Sequence, residues 1–234
     1  MRGSKFIGHV REVIRRNHFS YSTERTYINW IYRFIIFHDK RHPDEMGGKE
    51  IAEFLTYLAV DRKVSASTQN QALNALAFLY KRVLEISLDG FDFKHARIGK
   101  RLPVVFSRDE AQNVLSNLQG EYHLMASLLY GSGLRLTECM KLRIKDIDFN
   151  LNEIIIRAGK GDSDRRTLLP RLLIPQLKRQ IEKAKIKLEE NMLLKGFTGA
   201  SMPEALERKY PNASKEPAWQ YIFPSRKPAI DPRS

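Results

Sequence analysis

Apolar side chains recur three and four residues apart through residues 5–84, a pattern typical of amphipathic helices packed against one another. The first domain, residues 1–90, is therefore expected to be a small four-helix unit. The predicted helices are Lys5–Asn17, one that begins at Ser22 or Thr23 and runs to about His38, Lys49–Val60 and Ser67–Leu84.

This periodicity is lost over residues 91–105, where basic side chains alternate with Gly99 and Pro103. We interpret this stretch as an interdomain linker. An ordinary loop within a single domain would have a similar composition, so that alternative stays open.

The second domain, residues 106–234, is expected to combine helices with a small β-hairpin. Ser107 and Glu110 have the spacing of a capping box, in which each side chain accepts a hydrogen bond from the other residue's backbone N–H. A β-branched run and a glycine-containing turn predict the hairpin. The predicted elements after the capping box are helices at Tyr122–Ser132 and Leu136–Leu142, strands at Glu153–Arg157 and Arg165–Leu169, and a long helix at Pro175–Lys195.

The charge of the chain favours a polyanionic partner. The 234 residues contain 40 Lys and Arg against 27 Asp and Glu, which gives a net charge of +13, and the pI is near 9.8. The excess is shared, with +7 on residues 1–102 and +6 on residues 103–234. Nucleic acid is the first candidate partner and an anionic membrane surface the second. Arg97, Lys100 and Arg101 make the predicted linker a candidate DNA-binding segment.

Several other classes of protein are disfavoured by the sequence. Cys139 is the only cysteine, so an intrachain disulfide is excluded and a cytoplasmic protein is expected. No apolar run reaches the roughly 18–20 residues of a membrane span. The six histidines show no metal-binding spacing, and we expect no metal. The glycines at 131–133 and 159–161 lack the spacing of nucleotide-binding loops.

Two basic residues are candidates for chemistry on a phosphate. Arg135 follows a Gly-Ser-Gly turn in an apolar neighbourhood, and its planar guanidinium suits phosphate oxygens. Glu138 lies one helical turn later and can orient it. Lys160 stands between two glycines at the expected hairpin tip. A structural Arg–Glu pair and a solvated turn lysine are the alternative interpretations.

The order of these motifs resembles the tyrosine recombinases, or phage-type integrases. The resemblance rests on the capping-box helix, GSGLRLTE at 131–138 and the hairpin lysine, and on TERTYINWIYRFIIFHDK and STQNQALNALAFLYKRVL in the first domain. It implies a mainly α fold with a small β-hairpin or sheet, formed by a helical SAM-like core-binding domain and an α+β catalytic domain. Within that family the chain is most similar to the integron integrases, which carry an extra segment matched here by residues 193–217.

The resemblance also implies the chemistry. A tyrosine attacks a DNA phosphodiester, forms a 3′-phosphotyrosine and frees a 5′-hydroxyl, without metal or cofactor. Arg135 and Lys160 would be catalytic, with Glu138 orienting Arg135, and Trp219 is expected to stack on an unpaired base. Alternatively, Trp219 packs with Tyr221 and Phe223 to hold the segment in place. The implied partners are duplex DNA, folded single-stranded recombination sites and further copies in a homotetramer.

One departure from the family pattern changes the functional expectation. The family's catalytic domain continues with a His-x-x-Arg motif, a His or Trp and the nucleophilic Tyr, yet the last histidine here is His123. Tyr210 and Tyr221 precede the position where that second half should begin. We therefore expect an incomplete catalytic domain, from a fragment or a truncated product, that binds DNA without cutting it. The alternative is a non-catalytic DNA-binding protein or regulator on a recombinase scaffold; an RNA-binding protein is less favoured because no RNA-binding motif is present.

Overall fold

The computed structural model describes residues 5–87, 95–97, 99, 102–157, 164–202, 204–227 and 229. The chain divides into two compact units, Met1–Pro103 and Val104–Ser234. Each unit has its own hydrophobic core. The division falls within residues 91–105, the stretch predicted to be a linker, much of which lies outside the described residues.

The first unit is helical, as predicted. Its helices are α1 (Lys5–Arg16), α2 (Tyr21–Phe37), α3 (Gly48–Val60) and α4 (Ala66–Phe78), and α4 continues into one wider turn over Leu79–Val83. The prediction placed the start of α2 too late. Ser20 caps this helix, because its hydroxyl accepts a hydrogen bond of 3.2 Å from the Thr23 backbone N–H.

The four helices of the first unit enclose one apolar core. Its fully buried side chains come from every helix, for example Val10, Ile31, Ile51 and Leu76. The carboxylate of Glu24 is almost completely buried between α2 and α1, where arginines of α1 pair with it. Apolar packing and this ionic contact therefore both join α1 to α2.

The second unit contains five helices and a three-stranded antiparallel sheet among its described residues. The elements are α5 (Arg108–Ser116), α6 (Gly120–Ser132), α7 (Leu136–Met140), β1 (Ile147–Asp148), β2 (Glu153–Ile156), β3 (Arg165–Leu168), α8 (Ile174–Met192) and α9 (Glu204–Lys209). The predicted capping box at Ser107 is confirmed, with both reciprocal hydrogen bonds present. The mainly α fold with a small sheet is likewise confirmed.

The sheet packs one face on the core of the second unit. The strand order is β1-β2-β3, and Ile154 of β2 pairs with Ile147 on one side and Thr167 on the other. Ile154 and Ile156 are buried while Ile155 between them is partly exposed, as alternation along a half-buried strand requires. This packing fixes the register of the hairpin, and so the places where β3 side chains emerge.

No helix in the described parts of the chain is both long enough and apolar enough to span a membrane.

Candidate active site

The turn between α6 and α7 places Arg135 at the start of a helix. Gly133 ends α6 in the left-handed conformation, with φ of +62°, which suits glycine because it lacks a Cβ. Arg135 is the cap residue of α7, and its backbone N–H donates a 2.8 Å hydrogen bond to the Glu138 carboxylate. The Gly-Ser-Gly sequence therefore determines where Arg135 leaves the turn.

Glu138 holds two arginines from separate elements. Its Oε1 accepts hydrogen bonds from Arg135 Nη1 at 2.6 Å and from Arg165 Nη1 at 2.8 Å, and its Oε2 accepts one from Arg165 Nη2 at 2.8 Å. The Arg165 contact is a paired, fork-like interaction of the kind that fixes orientation as well as charge. We call these three residues the Arg135–Glu138–Arg165 cluster.

The cluster keeps a nearly buried carboxylate ionised. Only 9% of the Glu138 side chain is exposed, a degree of burial that opposes its charge. Hydrogen bonds from Arg165 and then from Arg135 prevail over this desolvation and lower the pKa of Glu138 from 4.5 to about 2. Glu138 is therefore negatively charged at neutral pH and can orient Arg135.

The Arg135 guanidinium lies at the surface of the second unit. Its side chain is 56% exposed; Leu134 before it is buried, whereas Leu136 after it is 60% exposed. The predicted apolar neighbourhood of Arg135 is therefore buried only in part: Leu128 and Leu142 belong to the core, but Leu136 does not. The exposed guanidinium keeps N–H donors accessible to an anion such as a phosphate oxygen.

β3 is attached to the same turn. The Thr167 hydroxyl donates a 2.7 Å hydrogen bond to the Ser132 carbonyl, and Arg165 Nη2 donates a longer one, of 3.4 Å, to the Gly133 carbonyl. Together with the Arg165–Glu138 contact, these bonds hold the stem of the hairpin beside Arg135. Lys160, five residues before Arg165 in the chain, lies outside the described residues.

The other predicted site residues have separate surroundings. Arg97 is exposed, and Lys100 and Arg101 lie outside the described residues. Trp219 is half-buried, and the Lys145 ammonium lies 2.9 Å from the centroid of its ring. Trp219 therefore already makes a cation–π contact with its own chain.

Arg143 holds the segment around Trp219 in place. Its guanidinium donates hydrogen bonds to the Trp219 carbonyl at 2.6 Å, the Ser201 carbonyl at 2.7 Å and the Tyr221 hydroxyl at 3.1 Å. It also lies 4.5 Å from the centroid of the Tyr221 ring. The Arg143 side chain thus helps to fasten the chain after α8 to the loop between α7 and β1, together with backbone hydrogen bonds from Ile144 N–H to the Gln220 carbonyl and from Ile222 N–H to the Leu142 carbonyl.

Sequence reasoning missed two of these arginines. Arg165 was assigned only to a returning strand, although a strand that folds back toward α7 would bring its side chain near Glu138. Arg143 contacts residues 58 to 78 positions away, and no local pattern indicates such partners. Its one sequence signal is a charged residue inside the run Leu142–Ile144, where two apolar neighbours point to the core.

Comparison with known proteins agrees with this architecture. Residues 6–89 match the model for "Phage integrase, N-terminal SAM-like domain", and residues 105–228 match that of the "Phage integrase family". The chain belongs to the phage integrase family. Its relatives include proteins named "Integrase/recombinase" from Escherichia coli and Pseudomonas aeruginosa, each 43% identical over all of this chain and 69% of the relative.

One solved structure shares the fold of this chain despite low sequence identity. The Tn1549 transposon integrase, determined in complex with transposon right end DNA, is 18% identical. The TM-score is 0.54, and the match covers 78% of this chain and 66% of that protein.

Proposed function

We propose that these 234 residues form the DNA-binding domain and the first half of the active site of a site-specific DNA recombinase. The observation that carries this proposal is the Arg135–Glu138–Arg165 cluster, which presents an exposed guanidinium on an ionised, nearly buried carboxylate. A fixed cation of this kind stabilises charge that develops on a phosphate during transfer. Family membership supplies the reaction in which such a cation acts.

The proposed reaction transfers a phosphoryl group to a tyrosine. The tyrosine oxygen attacks a DNA phosphorus, the bond from phosphorus to the 5′ oxygen breaks, and a 3′-phosphotyrosine and a 5′-hydroxyl result. Arg135 neutralises charge on the non-bridging oxygens. Lys160 gives a proton to the departing 5′ oxygen, and Glu138 orients Arg135 without reacting.

The polypeptide of these 234 residues is proposed to bind DNA without cutting it. No histidine follows His123 in the sequence, so the His-x-x-Arg motif of the family is not among these residues. Tyr221 receives a hydrogen bond from Arg143 and lies under its guanidinium, which supports a packing role for this tyrosine. The second candidate function is therefore a protein that never cleaves DNA, namely a DNA-binding protein or regulator built on a recombinase scaffold.

The finer proposal is an integron integrase that captures gene cassettes. Its support is the segment at residues 193–217 and the sequence WQYIFPS that follows it. Ser214 joins this segment internally, because its hydroxyl donates to the Thr198 carbonyl at 3.0 Å and its carbonyl accepts from the Gln220 side chain at 2.8 Å. Such a folded segment can present side chains to a folded single-stranded site as well as to duplex DNA.

Salt dependence of binding tests the proposal. If several Lys and Arg side chains meet phosphates, log affinity for duplex DNA falls linearly with log salt concentration, by roughly 0.9 per phosphate neutralised. Fluorescence anisotropy with a labelled duplex from 50 to 300 mM salt measures this slope. A flat dependence, or no binding at the lowest salt, contradicts DNA binding by this chain.

A further inference from the structure

The side chain of Asn70 in α4 pairs with the backbone of Ala96, in the chain segment that follows the fourth helix. The Ala96 backbone N–H donates a 2.7 Å hydrogen bond to Asn70 Oδ1, and Asn70 Nδ2 donates a 2.9 Å hydrogen bond to the Ala96 carbonyl. A side-chain amide thus pairs with both backbone groups of one residue, as a neighbouring peptide does in a β-ladder. We call this pair of hydrogen bonds the Asn70 clamp.

Asn70 is not explained by the stability of its own helix. It is the fifth residue of α4, and asparagine is a weak helix former at interior positions because its amide competes for backbone hydrogen bonds. Here both amide groups are used on a segment 26 residues away. Each of these hydrogen bonds restricts residue 96, although the composition around it is that of a linker.

Two arginines lie on segments joined to this part of α4. Gln71, the next residue of α4, accepts a 3.1 Å hydrogen bond from the indole of Trp30. The Arg33 guanidinium lies 4.3 Å from the centroid of that ring. Arg97 is exposed and follows Ala96 directly. The clamp therefore fixes the backbone next to Arg97, and the residue that follows Asn70 in α4 contacts α2, which carries a second arginine.

We propose that Asn70 is a positioning residue that holds Arg97 ready for a DNA phosphate. This inference rests on the proposed DNA-binding function and adds the residue that orders a basic side chain before DNA arrives. A preordered arginine loses less conformational freedom on binding than one on a free chain. Removal of the clamp should therefore weaken DNA binding through Arg97 and not through the fold of α4.

A double-mutant cycle on the 234-residue chain tests this role. Arg97→Ala is expected to weaken binding to a labelled duplex by about tenfold, as loss of one charge-assisted hydrogen bond would, and to reduce the salt slope by roughly 0.9. Asn70→Ala should give a smaller effect in the same direction. The double variant should bind as Arg97→Ala does, because Asn70 acts only through Arg97.

One further measurement, made on Asn70→Ala and on a control variant, separates positioning from folding. Alanine favours a helix more than asparagine does, so Asn70→Ala should not melt α4, and Asn74→Ala changes an exposed asparagine of the same helix as a matched control. Hydrogen exchange at the Ala96 amide should accelerate in Asn70→Ala and not in Asn74→Ala.

The results of these experiments distinguish failure of the positioning role from failure of the proposed DNA-binding function. Faster exchange at Ala96 with unchanged DNA affinity overturns the positioning role while DNA binding stands. Additive effects in the cycle overturn it too, because Asn70 would then act independently of Arg97. A wild-type chain that protects Ala96 but binds no DNA overturns the proposed function itself and the positioning role with it.

Discussion

Among single residues, Glu138 controls how Arg135 is presented. Its carboxylate is nearly buried, yet three hydrogen bonds from two guanidinium groups keep it charged. A nearly buried carboxylate with only one arginine would have weaker compensation for its lost hydration. Arg165 thus acts on Arg135 through the shared carboxylate, and it does so from a different element.

The depressed pKa of Glu138 makes a prediction about acid stability. Because the pKa falls from 4.5 to about 2 on folding, Glu138 contributes stability above pH 4.5 and loses it as the pH falls toward 2. Glu138→Gln should lower the free energy of unfolding by about 2 kcal/mol at pH 7. The difference from wild type should shrink between pH 4.5 and pH 2.

Chemical denaturation of both proteins across this pH range measures the effect. Glu153→Gln is the matched control, because Glu153 also pairs with an arginine of β3 but is more exposed. A Glu138→Gln deficit that does not change between pH 7 and pH 2 would show that the variant disturbs packing and not a charged contact.

Trp219 gives a second prediction at this scale. If it stacks on an unpaired base, Trp219→Ala should remove the preference for a DNA hairpin with one bulged base over the same hairpin without it, roughly 1–3 kcal/mol. The melting temperature should then stay nearly constant. Because Lys145 lies against the ring, stacking must displace this lysine or use the opposite face. Equal loss on both hairpins with a lower melting temperature would identify Trp219 as a packing residue.

Among elements, α6 packs so closely against Pro170, the second residue after β3, that one added methyl group on Gly131 tests the contact. A Cβ on Gly131 would lie 2.8 Å from Cγ of Pro170, whereas no described atom lies within 4 Å of a Cβ on Gly8 in α1. Glycine to alanine normally stabilises a helix by up to about 1 kcal/mol. Gly8→Ala should follow that rule.

Gly131→Ala should do the opposite and lower stability by about 1–3 kcal/mol, because Pro170 must move. Thermal unfolding followed by circular dichroism measures both variants. A Gly131→Ala variant as stable as wild type would contradict close packing of α6 against Pro170.

The presence of each helix and strand was more predictable than the residues at which it begins and ends. Local periodicity and caps predicted the helices and the hairpin because these depend on neighbours in sequence. The cap of α2 was misplaced by two or three residues because Ser20, Ser22 and Thr23 are all competent caps. The fourth helix was predicted as continuous to Leu84, yet regular α-helix ends at Phe78, a change that the apolar pattern does not show.

The site was predictable only in part. Arg135 and Glu138 are three residues apart, so one helical turn places them together. Arg165 is 27 residues from Glu138, and its contact depends on the hairpin register and on packing of the sheet. Arg143 likewise depends on where the chain after α8 returns. Contacts of this kind arise from tertiary packing, which the single sequence does not specify by any local spacing.

At the scale of the whole molecule, positive charge is carried by both units and not by one tail. This distribution fits a protein that meets DNA with each unit, and it gives the sequence-independent part of the affinity. In the proposed function the chemistry depends on a much smaller set of residues in the second unit. Binding and cleavage should therefore separate when single residues are changed.

Covalent trapping on a nicked suicide substrate tests the central claim most directly. The 234-residue chain should bind this DNA and form no covalent adduct. The same chain completed with the second catalytic half of a family member, including His-x-x-Arg and the nucleophilic tyrosine, should form one. Arg135→Ala in that completed enzyme should lower adduct formation at least about a hundredfold, with little change in affinity. Lys160→Ala should be rescued selectively by a better 5′ leaving group. A completed enzyme that cleaves equally well without Arg135, or an adduct from the 234-residue chain alone, would contradict this account.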